Sequence, residues 1–210
     1  MLTMNEYSFD MTASPWVRRF LPLIPKNQGP VLDLACGNGR HSRLLLDAGY
    51  DVWSLDKDAA LLAPLESLGA RCFQFDLEAK NHESNDAGKV HWPFDANTFS
   101  AIIVTNYLYR PLLSTLTSSL KERGILIYET FAVGNEVFGR PKNPDFLLAP
   151  GELIQQFLSQ SKADVRKNHC ISYEHGQISY PKRAVVQRIC LRSVSVALAV
   201  DTSSDHLEII

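Results

Sequence analysis

The chain has 210 residues, 45% hydrophobic and 21% charged, with a formal net charge of −2, which suits one soluble domain with a sizeable core. That charge argues against a strong electrostatic grip on nucleic acid, and no run approaches the roughly 18 apolar residues of a membrane helix. Four cysteines with no C-x-x-C pair exclude a disulfide scaffold and a zinc ribbon and fit reduced thiols in a cytoplasm.

In chain order, MLTMNEYSFD carries acids and lacks the basic and apolar regions of a signal peptide. Residues 1–27 are expected to form an N-terminal helical cap. Within it, SPWVRRFLP predicts a helix with Ser14 as N-cap and Pro15 at the first helical position. Val31–Ala35 (VLDLA) predicts a strand after the breakers Gly29 and Pro30. Arg40–Ala48 predicts a helix that Gly49 stops, and Asp51–Leu55 a second strand. Asp58–Leu68 predicts a second helix capped by Asp58, with Pro64 expected to kink it or delay its start. Arg71–Phe75 is a third strand and the polar stretch 79–90 a loop.

Ala101–Thr105 (AIIVT) is nearly all apolar, as a central parallel strand should be. A helix follows over Leu112–Leu120, then a fifth strand over Gly124–Thr130. Residues 131–150 form a long loop rich in glycine and proline, a length that usually marks function. A helix over Gly151–Lys162 precedes two late strands near Asp164–Tyr173 and Ala184–Leu191, expected to pair antiparallel. Strands alternating with helices predict an α/β fold. Residues 1–192 make one domain, and 193–210 a tail that is either an extra strand or disordered.

Charge is uneven. Residues 121–192 hold 11 basic and 7 acidic side chains against 10 and 13 over 1–120. Ordinary surface variation explains this, but so does a basic rim around a site for an anionic substrate.

The richest stretch is Val31–Asp58, which reads strand, glycine turn, helix, strand, acid. Gly37 and Gly39 permit positive φ and close approach to a ligand. Asp56 ends the second strand, where an acid can accept hydrogen bonds from the hydroxyls of a ribose. A dinucleotide site wants G-x-G-x-x-G/A, and the third position here is Ser42. Asp33 stands four residues before the first glycine, where a carboxylate suits ammonium and sulfonium groups better than a pyrophosphate. The pattern favours S-adenosylmethionine over a nicotinamide dinucleotide.

At these residues the chain resembles the class I methyltransferase family, which uses S-adenosylmethionine. Asp33–Gly39 (DLACGNG) resembles the family's glycine motif, Asp56 its ribose acid, and Asp76 with Leu77 its adenine-reading pair. WPFDANTF resembles the L-P-F-x-D-x-S-F-D run before the fourth strand, with Ser100 where Asp is usual, and Asn106 falls at the fourth motif. The resemblance implies a single Rossmann-like, doubly wound sheet with strand order 3-2-1-4-5-7-6, strand 7 antiparallel, and helices on both faces. It also implies a cofactor site of Asp33, Ala35, Gly37, Gly39, Asp56, Lys57, Asp76, Leu77, Asn106 and Tyr107. Within the family, RHS at 40–42, NYLYRP at 106–111 and the run Tyr128–Leu153 resemble small bacterial tellurite-resistance-like or thiopurine-methyltransferase-like proteins.

The resulting expectation is a cytoplasmic enzyme, monomer or homodimer, that converts S-adenosylmethionine to S-adenosylhomocysteine by methylating a small molecule, anionic or a soft nucleophile. RNA or protein methylation through the basic segment 121–192, or cofactor binding without chemistry, are the alternatives. His41, Tyr107 and Arg140 are the candidate catalytic residues, Tyr128 and Glu129 further candidate bases, and Arg140 with Lys142 candidate lid cations over 131–150. Cys36 reads as a packing residue. The six histidines lack metal spacing, so no metal is expected.

Overall fold

The computed structural model describes residues 12–79, 90–159 and 166–195. Its seven strands are β1 (Val31–Leu34), β2 (Val52–Asp56), β3 (Arg71–Gln74), β4 (Phe99–Thr105), β5 (Leu120–Phe131), β6 (Arg166–Ile178) and β7 (Ala184–Ser195). The helices are α1 (Pro15–Phe20), α2 (Arg40–Asp47), α3 (Ala59–Glu66), α4 (Leu113–Ser119) and α5 (Glu152–Leu158). The strands form one sheet in the order β3-β2-β1-β4-β5-β7-β6, with β7 antiparallel to both neighbours. This is the order and polarity that the family resemblance implied.

Period-two alternation of side chains sends residues to opposite faces of the sheet. Leu32, Ile102, Val104, Leu126 and Tyr128 join α4 and α5 residues such as Leu116 and Phe157 on one face. Val31, Ala101, Ile103, Ile125 and Ile127 meet Trp16, Leu45 and Leu65 of α1, α2 and α3 on the other. Residues 99–104 of β4 are therefore buried throughout, because helices cover both of its sides.

Several boundaries move. β5 begins at Leu120, four residues before the expected start, because Leu120 pairs with Phe99 ahead of a register irregularity; Arg123 there takes φ +63°. Pro64 sits inside α3 without ending it, and Asp58 caps that helix by accepting the Ala60 N–H at 2.9 Å. The 131–150 loop is more ordered than its composition suggests. It carries 3-10 turns at Asn135–Val137 and Pro144–Phe146, and its ends are joined by a bridge between Ala132 and Leu148. β6 runs on to Ile178, so the turn before β7 shrinks to residues 179–183. β7 passes the boundary expected at 192 and reaches Ser195. Residues 1–11 of the expected cap, 80–89 of the expected loop, 160–162 of the expected helix and 196–210 of the expected tail lie outside the described residues.

α1 is tied down as its sequence promised. Ser14 Oγ accepts the Trp16 N–H at 3.1 Å and donates to Glu129 Oε1 of β5 at 2.8 Å. The N-terminal segment is thereby locked onto the centre of the sheet, next to the carboxyl ends of β4 and β5.

Candidate active site

The carboxyl ends of β1, β2 and β4 open on one edge of the sheet, where a doubly wound fold places its ligand. After β1 the chain turns through Ala35, Gly37 and Gly39, all at positive φ (+50°, +53° and +70°). The two glycines do different work. A Cβ on Gly39 would lie 2.2 Å from Leu65 Cδ2, so this glycine lets the start of α2 press against α3. A Cβ on Gly37 would meet nothing within 4 Å, so this glycine presents bare backbone to open space.

Asp56, at the end of β2, faces the turn. Its Oδ2 accepts the Gly37 N–H at 2.8 Å and its Oδ1 the Asp58 N–H at 3.0 Å. A carboxylate offers about four acceptor positions, so two backbone donors fix its orientation and leave room for two hydroxyls. A cavity of about 220 Å³ lies beside it, lined by Ala35, Asp56, Lys57, Asp76, Leu77 and Tyr107 among others. Asp76 is oriented by the Glu78 N–H, which donates to its Oδ1 at 3.0 Å. Bare backbone, a fixed acid at the second strand and an acid with a buried leucine at the third fit the methionine, ribose and adenine parts of the expected cofactor.

A family model for the tellurite resistance protein TehB matches residues 23–124, which span this cleft. The sheet and its cleft have the fold of S-adenosylmethionine-dependent methyltransferases. TehB from Haemophilus influenzae superposes with a TM-score of 0.62 at 18% identity, over 89% of this chain and 64% of that one; the present chain thus spans less than two thirds of that relative's length. An S-adenosylmethionine-dependent methyltransferase structure from Listeria monocytogenes superposes with a TM-score of 0.58 at 14% identity, over 84% of this chain and 97% of that one. A third structure, described by the conversion of a disulfide bond into a thioacetal group during echinomycin biosynthesis, reaches 0.57 at 15% identity over 91% and 87%. No curated protein matches the sequence.

Two more cavities share lining residues with this cleft or with each other. One, of about 250 Å³, shares Glu78 and Tyr107 with the cleft and is closed by Leu108, Thr130, Pro141 and Phe146. The next, of about 210 Å³, shares Asn106 and Phe131 with the middle one and extends to Arg40, Glu129, Arg140 and the turn before β7. Asn106, at φ +57° after β4 with its N–H donated to Glu129 O at 2.9 Å, stands at the junction beside Tyr107. Asn106, expected at the fourth motif, thus lines the second and third cavities, and Tyr107 the first and second.

Other expected residues have different surroundings. Asp33 is 2% exposed and lines none of these cavities; its Oδ2 accepts the Ser42 hydroxyl at 2.6 Å, and Ser42 Oγ lies 2.9 Å from Ser54 Oγ. Burial, opposed by hydrogen bonds from Ser42, raises the Asp33 carboxyl to about 7. The acid read as a partner for the cofactor's ammonium instead joins β1 to α2, because the right-handed start of α2 brings Ser42 over it.

His41 is also buried. Its Nε2 accepts the Ser14 N–H at 3.1 Å, and its Nδ1 lies 3.4 Å from Thr105 Oγ1. Burial, helped by the cations Arg40 and Arg18, pushes its pKa down to about 3. The nitrogen that would take a proton is already an acceptor, so His41 ties α1 to α2 and is corrected as a catalytic base. Cys36 is buried and its thiol is pushed well above its ordinary value, chiefly by burial, which matches its reading as packing.

Arg140 lines the third cavity, whereas its neighbour Lys142 is exposed and lines none of the three. Arg110 pins the same loop. Its Nε and Nη2 contact Glu152 at 2.6 and 3.1 Å, while Nη1 and Nη2 donate to the carbonyls of Asp145 and Leu147 at 2.6 and 2.8 Å. Phe94 and Phe99 are core anchors in an aromatic cluster with Trp53 and Phe73, and Trp92 packs edge-on to Phe94. Among the described residues, no group of His, Cys, Asp and Glu could hold a metal ion, and no helix is long and apolar enough to cross a membrane.

Sequence reasoning missed Glu78, Phe138 and the stretch Ile178–Ala184. Only Lys182 and Arg183, inside the basic segment, gave a signal for the last, and nothing placed them at the end of the sheet that carries the glycine turn.

Proposed function

We propose that this chain is a class I S-adenosylmethionine-dependent methyltransferase that transfers a methyl group by in-line displacement to a small-molecule acceptor held in the two cavities beyond Asn106 and Tyr107. The observation that carries this reading is that these cavities share Glu78, Asn106, Tyr107 and Phe131 with the cleft or with each other, at volumes of about 250 and 210 Å³ that suit a small molecule. When bound, S-adenosylmethionine supplies an electrophilic methyl on a sulfonium. Asp56 holds the ribose hydroxyls, Asp76 and the Leu77 N–H read the adenine edge, and the backbone of Ala35, Gly37 and Gly39 cradles the methionine portion, with Lys57 at the rim. Asn106 and Tyr107 shape the passage through which nucleophile and methyl carbon meet, and most of the rate comes from that alignment.

Proton removal is a small part of this reaction. Tyr107 and Tyr128 are pushed above the ordinary phenol range by burial, so both stay protonated near neutral pH. The Tyr128 hydroxyl is spent on Tyr107 O at 2.7 Å. Glu129 receives the Ser14 hydroxyl on one oxygen and Arg188 at 3.2 Å on the other. With these groups engaged, the site suits an acceptor that arrives as a soft nucleophile, such as a thiolate or a heavier chalcogen anion. The matching family, described by tellurite resistance, and the structural relative described by thioacetal formation agree with that class.

Labelled methyl from S-adenosylmethionine, supplied with the protein to a cell extract that is then separated by size, tests the proposal. Label is expected in the low-mass fraction. Label confined to RNA or protein overturns it.

A further inference from the structure

The third cavity carries a charge imbalance that the reading above does not use. Four cations line it: Arg40 from the start of α2, Arg140 from the 131–150 loop, and Lys182 and Arg183 from the turn before β7. One carboxylate, Glu129, lines it too, but Glu129 is already paired with Arg188 at 3.2 Å. Among the described residues, no carboxylate forms an ion pair with Arg140, Lys182 or Arg183. Arg183 is held across the mouth by Phe138, whose ring centroid lies 4.8 Å from its guanidinium carbon. That contact joins the turn before β7 to the 131–150 loop.

The same cavity has an apolar wall that includes Phe131, Phe138, Ile178 and Val186. A bare inorganic anion would leave this wall uncovered, and an uncharged hydrocarbon would leave the cations without a partner. Arg140, Lys182 and Arg183 line no part of the cofactor cleft, so their charge is not spent on the methyl donor.

We infer that the acceptor is an amphipathic organic anion whose apolar body lies on Phe131, Phe138, Ile178 and Val186, and whose anionic group meets Arg140, Lys182 and Arg183 away from the methylated atom. The inference rests on the methyltransferase reading and narrows its acceptor class. It makes the turn before β7 a specificity element: cations on this rim recognise a carboxylate, sulfonate or phosphate, while the apolar wall sets the size of the body.

Calorimetry on the protein saturated with S-adenosylhomocysteine tests it, using naphthalene-2-sulfonate and its neutral isostere naphthalene-2-sulfonamide as probes. The sulfonate is expected to bind at least tenfold more tightly. In the double variant Lys182→Gln, Arg183→Gln that preference should fall below threefold, while S-adenosylhomocysteine affinity, measured first, stays within twofold and reports an intact fold. Equal affinity for the two probes, or a preference that survives in the double variant, overturns the inference and leaves the methyltransferase reading standing. Binding of sodium selenite with no binding of the sulfonate also overturns it, in favour of a bare oxyanion. Failure of the wild-type protein to bind S-adenosylhomocysteine overturns the methyltransferase reading and the inference together.

Discussion

The two halves of this site are built by opposite means. The proposed cofactor cleft is made of short-range parts: a turn between β1 and α2, the last residue of β2, and two residues after β3. Its hydrogen bonds are local, such as Asp56 to Asp58 and Asp76 to Glu78, or cross one strand, as from Gly37 to Asp56. The proposed acceptor cavity gathers pieces from across the chain: α2, the end of β4, the 131–150 loop and the turn before β7. It is held by long-range ties, with Arg110 reaching the carbonyls of Asp145 and Leu147, and Asn135 Oδ1 accepting the Val185 N–H at 3.2 Å. A cleft made of backbone turns is rigid and suits an invariant ligand. A cavity made of loops changes its lining by substitution without disturbing the sheet.

The comparison can be broken at its stiffest point first. Gly39→Val drives a branched side chain into Leu65 at a positive φ. It should cost about 3–5 kcal/mol of stability, from overpacking plus left-handed strain, read as a lower denaturant midpoint. Gly37→Ala meets open space and should cost only about 1 kcal/mol of stability while impairing cofactor binding. Equal losses of stability would erase the distinction between a packing glycine and a ligand-facing one.

The Asp33–Ser42 tie between β1 and α2 sharpens the same half. The Asp33 carboxyl is raised to about 7 in the folded state, chiefly by burial, from an ordinary value of 3.8. The folded protein therefore binds a proton that the unfolded chain has released. Its contribution is fully present below about pH 4 and is lost as pH rises through about 7, by up to about 4 kcal/mol. Unfolding midpoints at pH 5 and pH 8 should differ in that sense, and Asp33→Asn should reduce the difference. An unchanged pH dependence in the variant would assign the effect elsewhere.

Smaller effects separate cofactor from acceptor. Asp56→Ala should weaken S-adenosylhomocysteine binding by about 1–3 kcal/mol, through loss of charge-assisted hydrogen bonds; unchanged affinity by calorimetry would remove the ribose assignment. Arg140→Ala should raise the acceptor KM by about five- to tenfold, or roughly 1 kcal/mol, and leave cofactor affinity alone. A pure cofactor defect in that variant would show that the 131–150 loop serves the cleft instead.

What was legible in the sequence follows the same divide. The apolar strands, the Ser14 and Asp58 caps, the glycine turn and Asp56 each announce themselves within a few residues, because turn chemistry and period-two burial are local properties. Nearest-neighbour signals also misled. Asp33 and His41 stand beside the glycine turn in sequence, yet burial turns both away from the cavities, Asp33 to Ser42 and His41 to Ser14.

By itself, then, the sequence determined the α/β architecture, its strand polarity through resemblance, and the glycine turn at the carboxyl end of the sheet. Only the tertiary structure decided which polar groups face the ligand and which are consumed inside. Only it brought Lys182 and Arg183 to Arg140, across some forty residues of chain. The antiparallel return of β7 beside β5 does this, because it carries the turn before β7 back to the carboxyl end of the sheet. No short-range pattern encodes that pairing, since its hydrogen bonds and buried contacts exist only once the sheet has formed.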